Sequence, residues 1–331
     1  MHCAIIGAGA WGTAMAVHLC RLPYVVTLVT QRLEQALELT QQRNNWQYLP
    51  DTPLAPHLQI TCELQPALMS AEVVFLAVPG KALRDLCTAI RFAIPQTRQL
   101  RAFIILSKGL EPDTGLTPCE VVDELLPEYP CAILSGPTFA GEIAAGKPAA
   151  LVCGSTMEEA LLHNLQRALN HRLLRIYTSQ DRKGVQLGGC LKNAYAIAAG
   201  ICDGLQLGDN AKAALLTRSL AEMVRLGVKL GGQKETFYGL SGVGDLIATC
   251  NGSWSRNRTF GQKIAQGSSP ETLTQTTTVE GYRSIPSLVQ QSHRLATQAP
   301  ILAETYAVLY HEKPPQEALE TLMAREVKRE L

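Results

Sequence analysis

The 331-residue sequence contains no apolar run of about 18 residues, so no membrane-spanning helix is expected. It also lacks an excess of either charge. Thirty Lys and Arg against 29 Asp and Glu leave a formal +1, too little for a bulk pull toward nucleic acid or anionic membranes. Any attraction for an anionic ligand must therefore come from local groups. None of the ten cysteines (3, 20, 62, 87, 119, 131, 153, 190, 202 and 250) forms a C-x-x-C pair. Scattered through apolar runs in a chain long enough to need no staples, they read as free thiols of a reducing compartment. Cys119 or Cys250 as a nucleophile is the less favoured reading beside a buried bystander thiol. A strand-like run starts at residue 2, so no signal peptide is expected and the cytoplasm is the expected location. No metal is expected either.

What the chain does contain exceeds one hydrophobic core in length, and two domains follow. The first half alternates short aliphatic runs with helical segments: HCAIIG (2–7), VVTLVT (25–30), VVFLAV (73–78), FIILS (103–107) and CAILSG (131–136). Continuous runs of this kind suit strands buried on both faces of a parallel sheet. Helical stretches at 10–21, 31–43, 81–92 and 118–126 supply the crossovers. AALVCG (149–154) and LLRIYTS (173–179), flanking a helical 157–169, can extend one sheet edge. From about 183 onward the runs are long, Ala/Leu-rich and helical, with no convincing strand. The expectation is an α/β doubly wound, mostly parallel sheet over 1–182, followed by an all-α domain over 183–331. Residues 240–257, rich in Gly, Ser and Asn, read as a long functional loop or a broken turn.

GAGAWG (7–12) follows the first strand and opens a helix. Gly7 allows the tight turn, Gly9 the approach of a pyrophosphate, and Gly12 close helix–strand packing. The helix N-terminus adds free N–H groups and partial positive charge. In this context the motif marks a Rossmann-type dinucleotide site, with Ala10 and Trp11 on the same turn. After the second strand, where an NAD site usually places a carboxylate, stand Thr30, Gln31 and Arg32. No carboxylate occurs before Glu34, and Arg32 can either face a 2′-phosphate or be only a solvated residue opening the next helix. NADPH is favoured, with NADH left open. Lys108 follows the fourth strand, where a cation can meet a developing oxyanion or serve only as a surface charge.

LGGCLKNAYAIAAG (187–200) places Lys192 and Asn193 beside a stripe formed by Leu187, Leu191, Ala194 and Ala198. A lysine there either snorkels to the edge or stays buried with a partner. Asp209 and Asn210 read as an N-cap. Asp245 lies among glycines, where backbone can approach a ligand. Ser255, Arg256 and Asn257 precede a helical run and read either as an anion cradle or as a plain cap beside an exposed arginine.

In this order the pieces resemble the bacterial-type NAD(P)-dependent glycerol-3-phosphate dehydrogenase family. The matching stretches are GAGAWGTA (7–14), LSKGLE (106–111), SGPTFAGEIAAG (135–146), residues 186–218, LSGVGDLIATC (240–250), SRNRTFG (255–261) and VEGY (279–282). The resemblance implies reversible reduction of dihydroxyacetone phosphate to sn-glycerol 3-phosphate for glycerophospholipid synthesis. It implies Lys192 as proton donor and acceptor, with Asn193 bonding substrate and Lys108 near both substrate and cofactor. It implies substrate contacts at Gly136 and Thr138, where the family often has Ser, and a cofactor contact at Ala140. It also implies Asp245 and Thr249 around the reacting centre, and Ser255, Arg256 and Asn257 as the phosphate site, with Arg256 also near the cofactor. Thr278 and Glu280 are implied late cofactor contacts. Three rivals stand beside it: a dehydrogenase of sugar or 2-keto acids with the same two-domain plan, a non-catalytic dinucleotide sensor, and a structural protein with a vestigial site. Pairing of two copies through an apolar face of the helical domain is also compatible with the sequence.

Overall fold

The computed structural model describes residues 1–94, 99–111, 114–327 and 329. It divides into two compact units, Met1–Gln186 and Leu187–Leu331.

The first unit runs β1 (His2–Ile6), α1 (Ala10–Leu19), β2 (Val25–Val29), α2 (Leu33–Gln42), β3 (Asn44–Asn45), β4 (Leu49–Pro53), β5 (Gln59–Thr61), α3 (Leu64–Ser70) and β6 (Val73–Leu76). It continues with α4 (Leu83–Ala93), β7 (Ala102–Ile105), α5 (Pro118–Leu125), β8 (Cys131–Ser135), α6 (Ala140–Ala144), β9 (Ala149–Ser155), α7 (Glu159–Leu169) and β10 (Leu174–Ser179). Eight strands form one sheet in the order β10-β9-β8-β7-β6-β1-β2-β5. All neighbours are parallel except β8 and β9, so the two late strands do extend one edge, with β9 reversed.

Strands β6, β7 and β8 are buried at every position, because helices cover both faces and leave no place for a polar alternation. The outer strand β10 alternates buried and exposed instead. Its Ile176 N–H donates to the Asn170 side chain at 2.9 Å, and its carbonyl accepts from Gln166 at 2.9 Å. These side-chain amides occupy groups that would otherwise invite a foreign strand. The short β3–β4 hairpin, strand β5 and helices α3 and α6 were not expected from the sequence. They are too short, or too polar, for a periodic signal.

Helix α8 (Arg182–Gly204) starts with its first residues in the first unit. Asp181 Oδ1 accepts the Gly184 N–H at 2.8 Å, and the Arg182 guanidinium pairs with Asp123. The second unit then contains α9 (Gly208–Lys229), α10 (Asp245–Asn251), α11 (Arg256–Ala265), α12 (Pro270–Thr276), α13 (Glu280–Arg294), α14 (Pro300–Tyr310) and α15 (Pro315–Met323). Among the described residues this unit has no strand.

Two local expectations are corrected. Asp209 and Asn210 do not cap α9: the helix starts at Gly208, after Leu207, and both lie in its first turn. Gly208, at φ +84°, makes the reversal itself. Residues 240–257 are mostly helical rather than a loop. A π turn covers Leu240–Gly244, α10 follows directly, and α11 begins at Arg256. Glycine lowers helix propensity, but tertiary packing overrides it. A Cβ on Gly242 would lie 2.0 Å from the Phe237 carbonyl oxygen.

The buried carboxylate of Glu222, on α9, accepts the N–H groups of Ile301 at 2.8 Å and Leu302 at 3.2 Å, closing the free start of α14. Burial pushes its carboxyl from 4.5 up to about 7, against the pull of those N–H groups. A raised folded value means the contribution is complete below pH 4.5 and is lost as pH rises through about 7. Wild type should lose on the order of 3 kcal/mol from this group across that window. Glu222→Gln should flatten the thermal-unfolding midpoint over the same window, and parallel profiles for the two proteins would contradict the assignment.

Candidate active site

The carboxyl ends of β1, β2, β6, β7 and β8 lie at one edge of the sheet, because these strands are mutually parallel. Strand β1 pairs with β2 on one side and β6 on the other, so the turn after it sits where the strand order reverses. Gly7 has φ +112°, and a Cβ there would meet the Ala77 carbonyl oxygen at 2.5 Å. Gly12 is closer still: its Cβ would be 1.9 Å from the Gly7 oxygen. Gly9 is the opposite case, with nothing within 4 Å of its Cβ position. The turn is thus packed tight at both ends and open in the middle, which fits a pyrophosphate against bare backbone. Ala10 opens α1 and Trp11 is half-buried beside it.

The neighbouring turns carry the other expected residues of this unit. Gln31 and Arg32 are exposed after β2, with Arg32 at the N-cap of α2 and its carbonyl accepting from the Thr30 hydroxyl at 2.8 Å. Glu34 is exposed in the first turn of that helix. After β7, the buried Ser107 hydroxyl donates to the Val78 carbonyl at 2.5 Å, tying the β7 and β6 turns together. Lys108 follows, half-buried. After β8, Gly136 has φ +146°, and its carbonyl accepts from the Thr138 hydroxyl at 3.2 Å. Ala140 opens α6.

In the second unit Lys192 is not a snorkelling side chain. Its side chain is 9% exposed and that of Asp245 1%. Lys192 Nζ donates to Asp245 Oδ1 at 2.8 Å and to Thr249 Oγ1 at 2.6 Å. Thr249 donates to the same Asp245 oxygen at 3.2 Å. Asp245 and Thr249 are four apart on α10 and share one face. The π turn brings that face over α8: a Cβ at Gly188, one turn before Lys192, would be 2.5 Å from the Ser241 carbonyl oxygen. Gly188, on α8 itself, is what lets the start of α10 come so close to the lysine.

Asn193 belongs to an adjoining network. Asn257 Nδ2 donates to Asn193 Oδ1 at 3.0 Å, and the Gly281 N–H donates to Asn257 Oδ1 at 2.9 Å. This joins α8, α11 and the start of α13. Ser255 is the N-cap of α11, its hydroxyl accepting the Arg258 N–H at 3.2 Å, so the capping role holds. Arg256 is exposed beside it, within reach of an anion at that helix start. Glu280 opens α13, with half-buried Thr278 two residues earlier.

Sequence reasoning missed Asp203. Its carboxylate pairs with Lys212 Nζ at 2.8 Å and with the Arg258 guanidinium, fastening α9 and α11 to the end of α8. An acid near the end of a helix carries no signal of such a partner. The two suspect cysteines are inert: Cys119 and Cys250 are both buried, and burial pushes Cys119 well up and Cys250 up to about 12. Among the described residues no group of three or more His, Cys, Asp or Glu could hold a metal.

Family models match almost the whole chain. That for the N-terminus of NAD-dependent glycerol-3-phosphate dehydrogenase covers residues 2–161, and that for its C-terminus residues 181–320. The glycerol-3-phosphate dehydrogenase (NAD(P)+) of Nitrosomonas eutropha is 41% identical over 329 residues, 98% of either chain. That of Thermus thermophilus is 42% identical over 330 residues, covering all of both. The crystal structure of glycerol-3-phosphate dehydrogenase from Coxiella burnetii superposes with a TM-score of 0.92 at 34% identity, over 98% of this chain and 99% of that one.

A buried ammonium deprived of its carboxylate is costly, so Asp245→Ala should destabilise the protein by about 3–5 kcal/mol in urea unfolding. Adding Lys192→Met should recover most of that loss. Losses that simply add in the double variant would show that the two side chains do not depend on one another.

Proposed function

The chain belongs to the NAD-dependent glycerol-3-phosphate dehydrogenase family, and from that premise we propose that it interconverts dihydroxyacetone phosphate and sn-glycerol 3-phosphate, with NADPH preferred over NADH. The observation that carries the reading is the buried Lys192–Asp245–Thr249 cluster beside the Asn193–Asn257 network. A sensor of dinucleotides has no need of a desolvated ammonium held by an acid. A dehydrogenase of unphosphorylated acids has no need of Arg256 at a helix start.

A nicotinamide cofactor, held through its pyrophosphate at the glycine turn, would supply the hydride for reduction of the ketone. The residues of the chain do the rest. Lys192 donates a proton to the carbonyl oxygen as it becomes an alcohol, and the neutral amine regains its proton from solvent. In the reverse direction the neutral amine accepts that proton. The Asp245 carboxylate compensates the ammonium, and Thr249 fixes its direction. Lys108 opposes the negative charge that develops on oxygen. Ser255, Arg256 and Asn257 hold the phosphate, so binding energy far from the carbonyl orients it for reaction. Asn193, Gly136 and Thr138 complete the substrate contacts.

For the cofactor, Gly7, Gly9, Ala10, Trp11 and Gly12 receive the pyrophosphate. Gln31 and Arg32 receive the adenosine end, and Arg32 supports NADPH because it offers a guanidinium where a carboxylate would repel the 2′-phosphate. Ala140, Thr278 and Glu280 are further cofactor contacts, with Lys108 and Arg256 reaching both ligands. The product would feed glycerophospholipid synthesis in the cytoplasm.

An absorbance assay at the nicotinamide band tests this directly. Dihydroxyacetone phosphate should trigger oxidation, faster with NADPH than NADH at limiting cofactor, and no oxidation with either would refute the activity. Arg32→Ala should raise KM for NADPH about tenfold and leave KM for NADH near its starting value. An unchanged preference would remove Arg32 from the cofactor site.

A further inference from the structure

The hairpin β3–β4 has no part in the sheet, yet one of its side chains reaches the glycine turn. We propose that Asn45 is a positioning residue for the dinucleotide site, holding the peptide between Ala8 and Gly9 so that the Gly9 N–H faces the pyrophosphate. This deepens the reading of that turn as a cofactor site and rests on it.

Asn45 is 2% exposed. Its Nδ2 donates to the Ala8 carbonyl at 2.9 Å and to the Thr13 hydroxyl at 2.7 Å, so both amide hydrogens are committed to the turn and the helix it opens. Gln35 Nε2 adds a longer bond to the same carbonyl at 3.3 Å. No peptide bond among the described residues is cis. In a trans peptide the C=O and the following N–H point in opposite directions. Fixing the Ala8 oxygen toward Asn45 therefore fixes the Gly9 N–H away from it, at the residue where the turn is bare. A glycine peptide without such a hold can rotate at little cost. The donor geometry needed for an anion would then have to be formed on binding, at the expense of affinity.

The platform for Asn45 is built for rigidity. Arg43 ends α2 in the left-handed region at φ 50° and turns the chain back. Its guanidinium bonds the carbonyls of Ala55 and Leu58, the latter at 3.1 Å. Leu49 of β4 and Leu54 after it are buried in the same core cluster as α1. Asn45 is thus clamped from behind and cannot follow the turn if the turn moves.

The test is the equilibrium dissociation constant for NADPH, read by quenching of protein fluorescence, beside kinetics with dihydroxyacetone phosphate. Asn45→Ala and the near-isosteric Asn45→Asp should each raise the NADPH constant about tenfold. KM for dihydroxyacetone phosphate and kcat at saturating cofactor should stay near wild type. Thr13→Val, which removes only the second acceptor, should leave the NADPH constant within about twofold. If the Asn45 variants melt at lower temperature but bind NADPH as wild type does, the residue is merely structural and the proposal fails. If Asn45→Ala does not fold, Asn45→Asp carries the test alone. Wild type that does not bind NADPH overturns the cofactor reading itself, a different failure from equal binding by wild type and variant.

Discussion

An ammonium group cannot stay charged inside a helix bundle without an acid within hydrogen-bonding reach. That constraint organises much of the helical unit. Lys192 sits mid-way along a 23-residue helix whose neighbours are small and apolar. Asp245 meets it at 2.8 Å only because α10 is launched from a π turn packed against α8 at a glycine. The pair is a poor choice for stability alone, since two well-packed apolar side chains could replace it. A buried, hydrogen-bonded ion pair of this kind is what points to a chemical role.

The same logic of close approach recurs beside it. A Cβ on Gly200 would lie 1.9 Å from the Arg258 carbonyl, and one on Gly261 2.0 Å from that of Ile197. These two contacts set α11 hard against α8, so the start of α11 has a fixed relation to Asn193. The Asp203 pairs with Lys212 and Arg258 then lock that arrangement at the helix end. In the sheet unit the equivalent device is the packing of Gly7 and Gly12 around Ala77, with Asn45 orienting the open peptide between them. Both units thus fix these groups by backbone contact first and side-chain bonds second.

Much of this was legible in the sequence. Continuous aliphatic runs announced the parallel strands, since burial on both faces leaves no other composition, and the glycine spacing announced the turn at β1. Lys192 stood out because a charge amid Leu187, Leu191 and Ala194 demands an explanation. What stayed hidden was of two kinds. Short elements such as β3 and α6 have too few residues to show a period. Partnerships such as Asn45 with Ala8, or Asp203 with Arg258, join residues tens of positions apart, and nothing local marks them. The stretch from 240 to 257 misled for a physical reason: Gly242 reflects tight packing against Phe237, and the Ser241 carbonyl packs on Gly188 of α8, so the glycine content does not mark freedom to bend.

The central claim is that the Lys192 amine moves the proton of the reaction. The most direct measurement is turnover of Lys192→Met with saturating NADPH and dihydroxyacetone phosphate, set beside its NADPH dissociation constant. Binding should stay close to wild type while kcat falls by roughly 10²–10⁴-fold. Turnover within a few fold of wild type, with binding intact, would contradict it.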